Sequence, residues 1–193
     1  MAKRSARRVA SRRLVIDASI ARAAGSDNAS NPLALSCSKF LSAVLRICHA
    51  AVLTDTLAME WSANQSSFAR VWRRQMMSRR KIHEPTVAEN TTLRRGVRRA
   101  AGDQAIAAIL ERDCHLIEAA LATDRRVASL DDRARHHFHS VASKVHRLRR
   151  IHWLNPAPSS DAEPSHQQII AWLESGAPDE RTYCLGYTAD PTV

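Results

Sequence analysis

Short apolar runs constrain this chain more than any other feature. Leu14-Val15-Ile16, Ala50-Ala51-Val52-Leu53, Val127 to Leu130 and Ile151-His152-Trp153-Leu154 are each too brief for a helix. Runs of this kind suit strands buried on both faces of a sheet. The segments between them repeat apolar residues at spacings of three and four; Phe40, Leu41, Val44, Leu45 and Cys48 are one such set. Strand-like runs separated by helical segments predict an α/β chain, with three α/β/α layers around a parallel sheet. The middle, from 54 to 123, reads as wholly helical, which is unusual for simple alternation.

Capping and breaking residues place the remaining boundaries. Gly25 to Pro32 is a turn-rich loop ahead of a helix over about 33–48. Thr54 or Asp55 caps a helix over roughly 56–77, and another follows Pro85 over 86–100. Asp103 caps a helix that runs to Leu110, and a second helix begins at about Asp113. Asp131 or Asp132 caps a short helix through Phe138. Asn155-Pro156 ends the last strand, and N-P-A-P-S-S-D-A-E-P reads as a linker before a small amphipathic helix at 166–175. This divides the chain into a basic flexible arm (1–13), one α/β domain (14–156), and a linker, short helix and tail (157–193).

Charge narrows the partner. With 29 Lys and Arg against 19 Asp and Glu, the 193-residue chain carries a formal charge of +10. This favours nucleic acid, ahead of an anionic membrane surface, as the binding target. No apolar run is long enough to span a membrane, and the basic start lacks the form of a signal peptide, so a soluble cytoplasmic protein is expected. Cys37, Cys48, Cys114 and Cys184 form no C-x-x-C pair and lack zinc spacing.

Within this basic chain, acids stand at selected places. Asp17 and Asp131 follow strand-like runs, where an open α/β sheet opens its ligand crevice. Glu60 and Asp113 are expected early on helices flanking that edge. Converging carboxylates are hard oxygen donors suited to Mg²⁺ or Mn²⁺, and Asp132 is a further ligand candidate beside Asp131. Each acid also has an ordinary role. Asp17 can cap a helix starting at Ala18, Glu60 can be a surface glutamate, and Asp113 can be an N-cap. Asp131 and Asp132 can be one cap and one turn residue, with Asp132 the expected cap.

The blocks L-V-I-D-A-S around Asp17, A-V-L-T-D-T-L-A-M-E-W around Glu60, and D-C-H-L-I-E-A-A-L-A-T-D-R-R-V-A-S-L-D-D from Asp113 to Asp132 resemble the PIN-domain ribonucleases, including VapC-type toxins. The likeness covers about residues 13–156, and its third block is the most specific. It implies a parallel sheet of four or five strands and a pocket in which Asp17, Glu60, Asp113 and Asp131 hold one or two Mg²⁺ or Mn²⁺ ions. It further implies cleavage of single-stranded RNA and, for toxin members, silencing by a small antitoxin protein. The arm and the segment 157–193 exceed a minimal toxin, and D-A-S replaces the D-T-N or D-T-S frequent in the family.

Other residues take plainer readings. Glu118 is expected in a surface ion pair, and His115 as a structural or substrate-facing histidine. His136, His137 and His139 read as basic surface, and Trp61, Trp72, Trp153 and Trp172 as core or interface. Arginine clusters at 70–81, 94–99 and 144–150 offer phosphate contacts. The helix at 166–175 can pack on the domain, form a homodimer or meet an antitoxin. The leading expectation is a Mg²⁺- or Mn²⁺-dependent endoribonuclease. Its competitors are a non-catalytic RNA-binding or interaction module on the same fold and a DNA-directed nuclease.

Overall fold

A computed structural model describes residues 10–25, 30–158 and 164–187. Most of the basic arm, part of the 157–193 linker and the last residues of the tail fall outside that range. The described chain forms β1 (Arg13–Ile16), α1 (Ala18–Ala23), α2 (Pro32–Arg46), β2 (Ala50–Val52), α3 (Asp55–Asn64), α4 (Ser67–Ser78) and β3 (Ile82–His83). It continues through α5 (Thr91–Ala101), α6 (Gln104–Leu121), β4 (Arg126–Ala128), α7 (Asp132–Ala142), β5 (His152–Leu154) and α8 (His166–Glu174).

All five strands pair in parallel, in the order β3-β2-β1-β4-β5. Helices α1 to α4 pack among themselves, with α8 against α2, while α5, α6 and α7 pack together and α6 lies on β1 and β4. The three-layer α/β/α arrangement with a five-stranded parallel sheet is therefore the architecture expected from the sequence. The chain winds from β1 outward to β3, then returns to place β4 on the other side of β1. The carboxyl end of β1 is thus the switch point, where a doubly wound sheet opens a crevice.

The core is built from the apolar runs. Leu14, Val15, Ile16, Val52, Val127 and Phe138 are fully buried, and Trp153 nearly so. All four tryptophans lie in this core, which agrees with their periodicity. Trp61 Nε1–H donates to Ile16 O at 2.8 Å, and Trp72 Nε1–H to Leu41 O at 2.6 Å, so each ring also pins a helix to its neighbour. The two rings stack with centroids 5.6 Å apart.

Several elements differ from the expected ones. The helix expected over 56–77 is two, because Ser66 leaves helical geometry and its hydroxyl accepts from Ala69 N–H at 3.1 Å, capping α4. Conversely, α6 is one continuous helix, so Asp113 lies in its interior and not at a helix start. Glu111 and Arg112 propagate helix well, and Leu110, Cys114 and Ile117 keep one buried face across the join. The helix expected from 86 begins at Thr91, capped by Asn90. Strand β3 is only two residues long and has no apolar run to announce it.

Glu118 is another correction, because it is buried and not at the surface. It accepts from Arg94 Nε at 2.9 Å, Arg94 Nη2 at 2.8 Å and Asn90 N–H at 2.7 Å. Burial alone would raise its pKa. The Arg94 guanidinium and the Asn90 amide overcome that and hold it below the usual carboxylate range.

Segment 164–187 packs onto the same core. Ile169, Trp172, Leu173, Tyr183 and Leu185 are buried with it. His49 Nε2 meets Leu173 O at 2.9 Å, and Leu185 N–H donates to Ile151 O at 2.9 Å. Among the described residues, no helix is long and apolar enough to cross a membrane.

Candidate functional site

An open cleft of about 720 Å³ lies at the carboxyl end of the sheet. Asp17, Glu60, Asp113, Asp131 and Asp132 all line it. Four parts of the fold bring them there. Asp17 directly follows β1, its N–H still bonding Ala128 O at 2.9 Å as if the ladder continued. Glu60 sits beside Trp61, whose indole fixes α3 against the end of β1. Asp113 comes from the middle of α6, while Asp131 and Asp132 occupy the turn from β4 into α7.

Asp17 does not use its side chain to cap α1. Its Oδ2 instead accepts from Ser19 Oγ–H at 2.5 Å and Ser129 Oγ–H at 2.6 Å. Each hydroxyl oxygen accepts in turn from the β4–α7 turn. Leu130 N–H donates to Ser19 Oγ at 3.2 Å and Asp131 N–H to Ser129 Oγ at 3.0 Å. Loops after two neighbouring strands are thereby joined through one carboxylate.

Asp131, not Asp132, caps α7, because its Oδ1 accepts from Ala134 N–H at 2.8 Å. Asp132 Oδ2 accepts from Asn155 Nδ2 at 2.7 Å, and its Oδ1 lies 3.4 Å from Arg135 Nε. The expected order of the two is therefore reversed. Asp132 is engaged by residues after β5 and on α7, and the cap falls to the residue nearer the strand.

Arg112 is the group that the sequence did not suggest. Its Nε donates to Asp113 Oδ1 at 3.0 Å, and its Nη2 stands 3.7 Å from Asp131 Oδ2. The hydrogen bond to Asp113, with further attraction from Asp131 and Asp17, raises its pKa above the ordinary guanidinium value. Adjacent residues on a helix do not normally face each other, so E-R-D gave no warning of this pair. Ser129 was missed too; its signal was a polar residue inside the run V-A-S-L.

His115 completes the floor. Its Nδ1 lies 2.9 Å from Arg112 O and its Nε2 lies 3.2 Å from Glu60 Oε2. Both ring nitrogens thus lie beside oxygen atoms, which fixes the ring across the cleft floor. Arg22 and Arg133 extend the lining, so the cleft holds carboxylates and guanidinium groups together.

The donor chemistry of this cleft suits the divalent cation that the resemblance implies, since carboxylate oxygens are what Mg²⁺ and Mn²⁺ prefer. The arrangement does not. Among the described residues, no three His, Cys, Asp or Glu side chains gather closely enough to hold a metal ion. Asp113 and Asp131 face a guanidinium, Glu60 faces an imidazole, and Asp17 faces two hydroxyls. His136, His137 and His139 form no such group either, and His139 Nδ1 lies 2.8 Å from Leu185 O.

No family model, curated protein or solved structure matches this chain.

Proposed function

We propose that this chain is an RNA-directed binding or interaction module on a PIN-like α/β/α scaffold. The observation that supports this over catalysis is the position of Arg112 against Asp113 and Asp131. A positive charge belonging to the protein already stands among the acids that would have to gather a metal. A polyanion approaching the cleft meets Arg22, Arg112 and Arg133, and a net charge of +10 favours its approach. RNA is the polyanion that the resemblance implies.

The second reading is a Mg²⁺- or Mn²⁺-dependent endoribonuclease acting on single-stranded RNA through Asp17, Glu60, Asp113 and Asp131, with Asp132 as a further ligand. One observation favours it: all five acids line one cleft at the switch point of the sheet. It requires Arg112 to leave, and a side chain 66% exposed is free to swing outward. A toxin held by a small antitoxin is the narrower form of this reading. Co-purification of a small acidic protein would support it.

One experiment separates the readings. Fluorescence anisotropy measures binding of a labelled single-stranded RNA across salt concentrations, and the same RNA is incubated with Mn²⁺, with EDTA, and with the Asp17→Asn variant. Salt-sensitive binding with intact RNA in Mn²⁺ is the expected result. Cleavage that needs Mn²⁺ and is lost in EDTA and in Asp17→Asn would replace the module reading with the endoribonuclease. Absence of binding would overturn both.

A further inference from the structure

The opposite end of the sheet has the opposite character. A depression of about 480 Å³ is lined by Leu121, Arg125, His146, Arg147, Arg149 and Arg150, and among the described residues no acid lines it. Three segments build it: the turn between α6 and β4, the 3₁₀ turn His146–Leu148, and the entry to β5. Their approach follows from the sheet, because His152 N–H donates to Arg125 O at 2.9 Å where β5 starts beside β4. Strand β4 is three residues long. At about 3.3 Å per residue, roughly 10 Å of sheet separates this basin from the acidic cleft.

The arginines here differ from those that tie the fold together through carboxylates. Arg13, Arg46, Arg94, Arg98 and Arg112 each pair with a carboxylate. In the basin, Arg149 is used structurally, donating to Ala142 O at 3.2 Å and Ser143 O at 2.7 Å at the end of α7. The side chains of Arg125, Arg147 and Arg150 make no hydrogen bond or ion pair among the described residues. The neighbouring depression shares some of these arginines but includes Asp124, Asp179 and Glu180, so acids offset part of the charge on that side.

Arg125 has φ of 59°, the left-handed conformation that glycine adopts without strain and most side chains avoid. Its N–H closes the turn after α6 by donating to Ala120 O at 2.9 Å, a bond glycine would make equally well. The guanidinium gives nothing back to the fold in return for that strain. Arg80 after α4 and Ala177 after α8 share this conformation, a common way for a helix to end.

We infer that this basin is a phosphate-binding site, formed by Arg125, Arg147 and Arg150 over the structurally fixed Arg149, that grips the backbone of single-stranded RNA at the end of the sheet remote from the acidic cleft. Planar guanidinium groups converging without an acid match a phosphodiester, which offers paired oxygens and one negative charge. The identity of the polyanion rests on the RNA reading above; the anion site itself rests on the basin alone.

The test uses the full chain with two variants, Arg125→Gly and the double change Arg147→Gln, Arg150→Gln. RNA binding is read by anisotropy over a salt series, and arginine side-chain NMR follows titration with inorganic pyrophosphate. The double variant should weaken RNA binding roughly tenfold and flatten the log–log salt dependence by about 0.7 for each phosphate that the basin no longer neutralises. Arg125→Gly should weaken binding while its melting temperature stays level or rises, an outcome that a merely structural arginine would not give. If the parent binds RNA and both variants match it in affinity and slope, the basin assignment falls and the RNA reading stands. If the parent fails to bind RNA but pyrophosphate shifts the basin arginines, the RNA reading falls and the anion site stands. An acidic peptide that binds in place of RNA, with the same dependence on the variants, would overturn the assignment to a polynucleotide.

Discussion

Replacing Arg112 with glutamine tests the electrostatic logic of the cleft directly. The guanidinium is 3.0 Å from one carboxylate oxygen and 3.7 Å from another, on a side chain 66% exposed. Exposed ion pairs of this kind contribute about 0.2–1 kcal/mol each, so Arg112→Gln should cost about 1 kcal/mol of stability at most. The effect on a divalent cation is larger. A single positive charge about 4 Å from a doubly charged ion in a water-like dielectric opposes it by about 2 kcal/mol, or roughly thirtyfold in affinity. Titration with Mn²⁺ at low ionic strength, followed by calorimetry or paramagnetic broadening, should show tighter binding to Arg112→Gln than to the parent. Arg112→Lys, which keeps the charge, should remain close to the parent. Equal Mn²⁺ affinity in parent and Arg112→Gln would refute the idea that this side chain occupies the place of a cation.

Two further predictions concern stability. Glu118 is held below its unfolded pKa, so its pairing with Arg94 stabilises the fold above about pH 4.3 and is lost as pH falls through the folded value. Glu118→Gln should cost about 2–3 kcal/mol at neutral pH and remove that acid-side decline; an unchanged pH profile of urea unfolding would contradict the assignment. Gly186→Ala would set a Cβ 2.8 Å from both Cα and Cβ of Arg149. A loss of about 1–3 kcal/mol, or release of the tail, should follow, and hydrogen exchange at the Leu185 amide reads either one; undiminished protection would count against the clash.

Much of the architecture was legible because strands buried on both faces must be continuously apolar. Leu14 to Ile16, Val127-Ala128 and Trp153-Leu154 showed themselves in that way. Caps were legible where one side chain had one amide to serve. Thr54 accepts from Leu57 N–H and Asp103 from Ile106 N–H, as their types suggest. Reading failed where the deciding partner was distant or the choice lay between neighbours. Glu118 looked like a surface residue because Arg94 lies 24 positions away across a helix pair. Asp131 and Asp132 carry the same chemistry, and only the path of Leu130 and the presence of Asn155 separate their roles. Asp113 resembled a helix start because aspartate favours that position, yet the buried stripe from Leu110 to Ile117 carries the helix through it. The convergence of the acids on one cleft was anticipated. Arg112 among them was not.

The two hydroxyls on Asp17 have a consequence for how the cleft responds to whatever enters it. Ser19 and Ser129 each commit their only proton to the same oxygen, and each receives an amide proton on the other side. Polarisation therefore runs one way, from the amides of Leu130 and Asp131 through the hydroxyls to the acid. A ligand that draws charge from Asp17 weakens the hydroxyl bonds it accepts, and through them the amide bonds of the turn that seats Asp131.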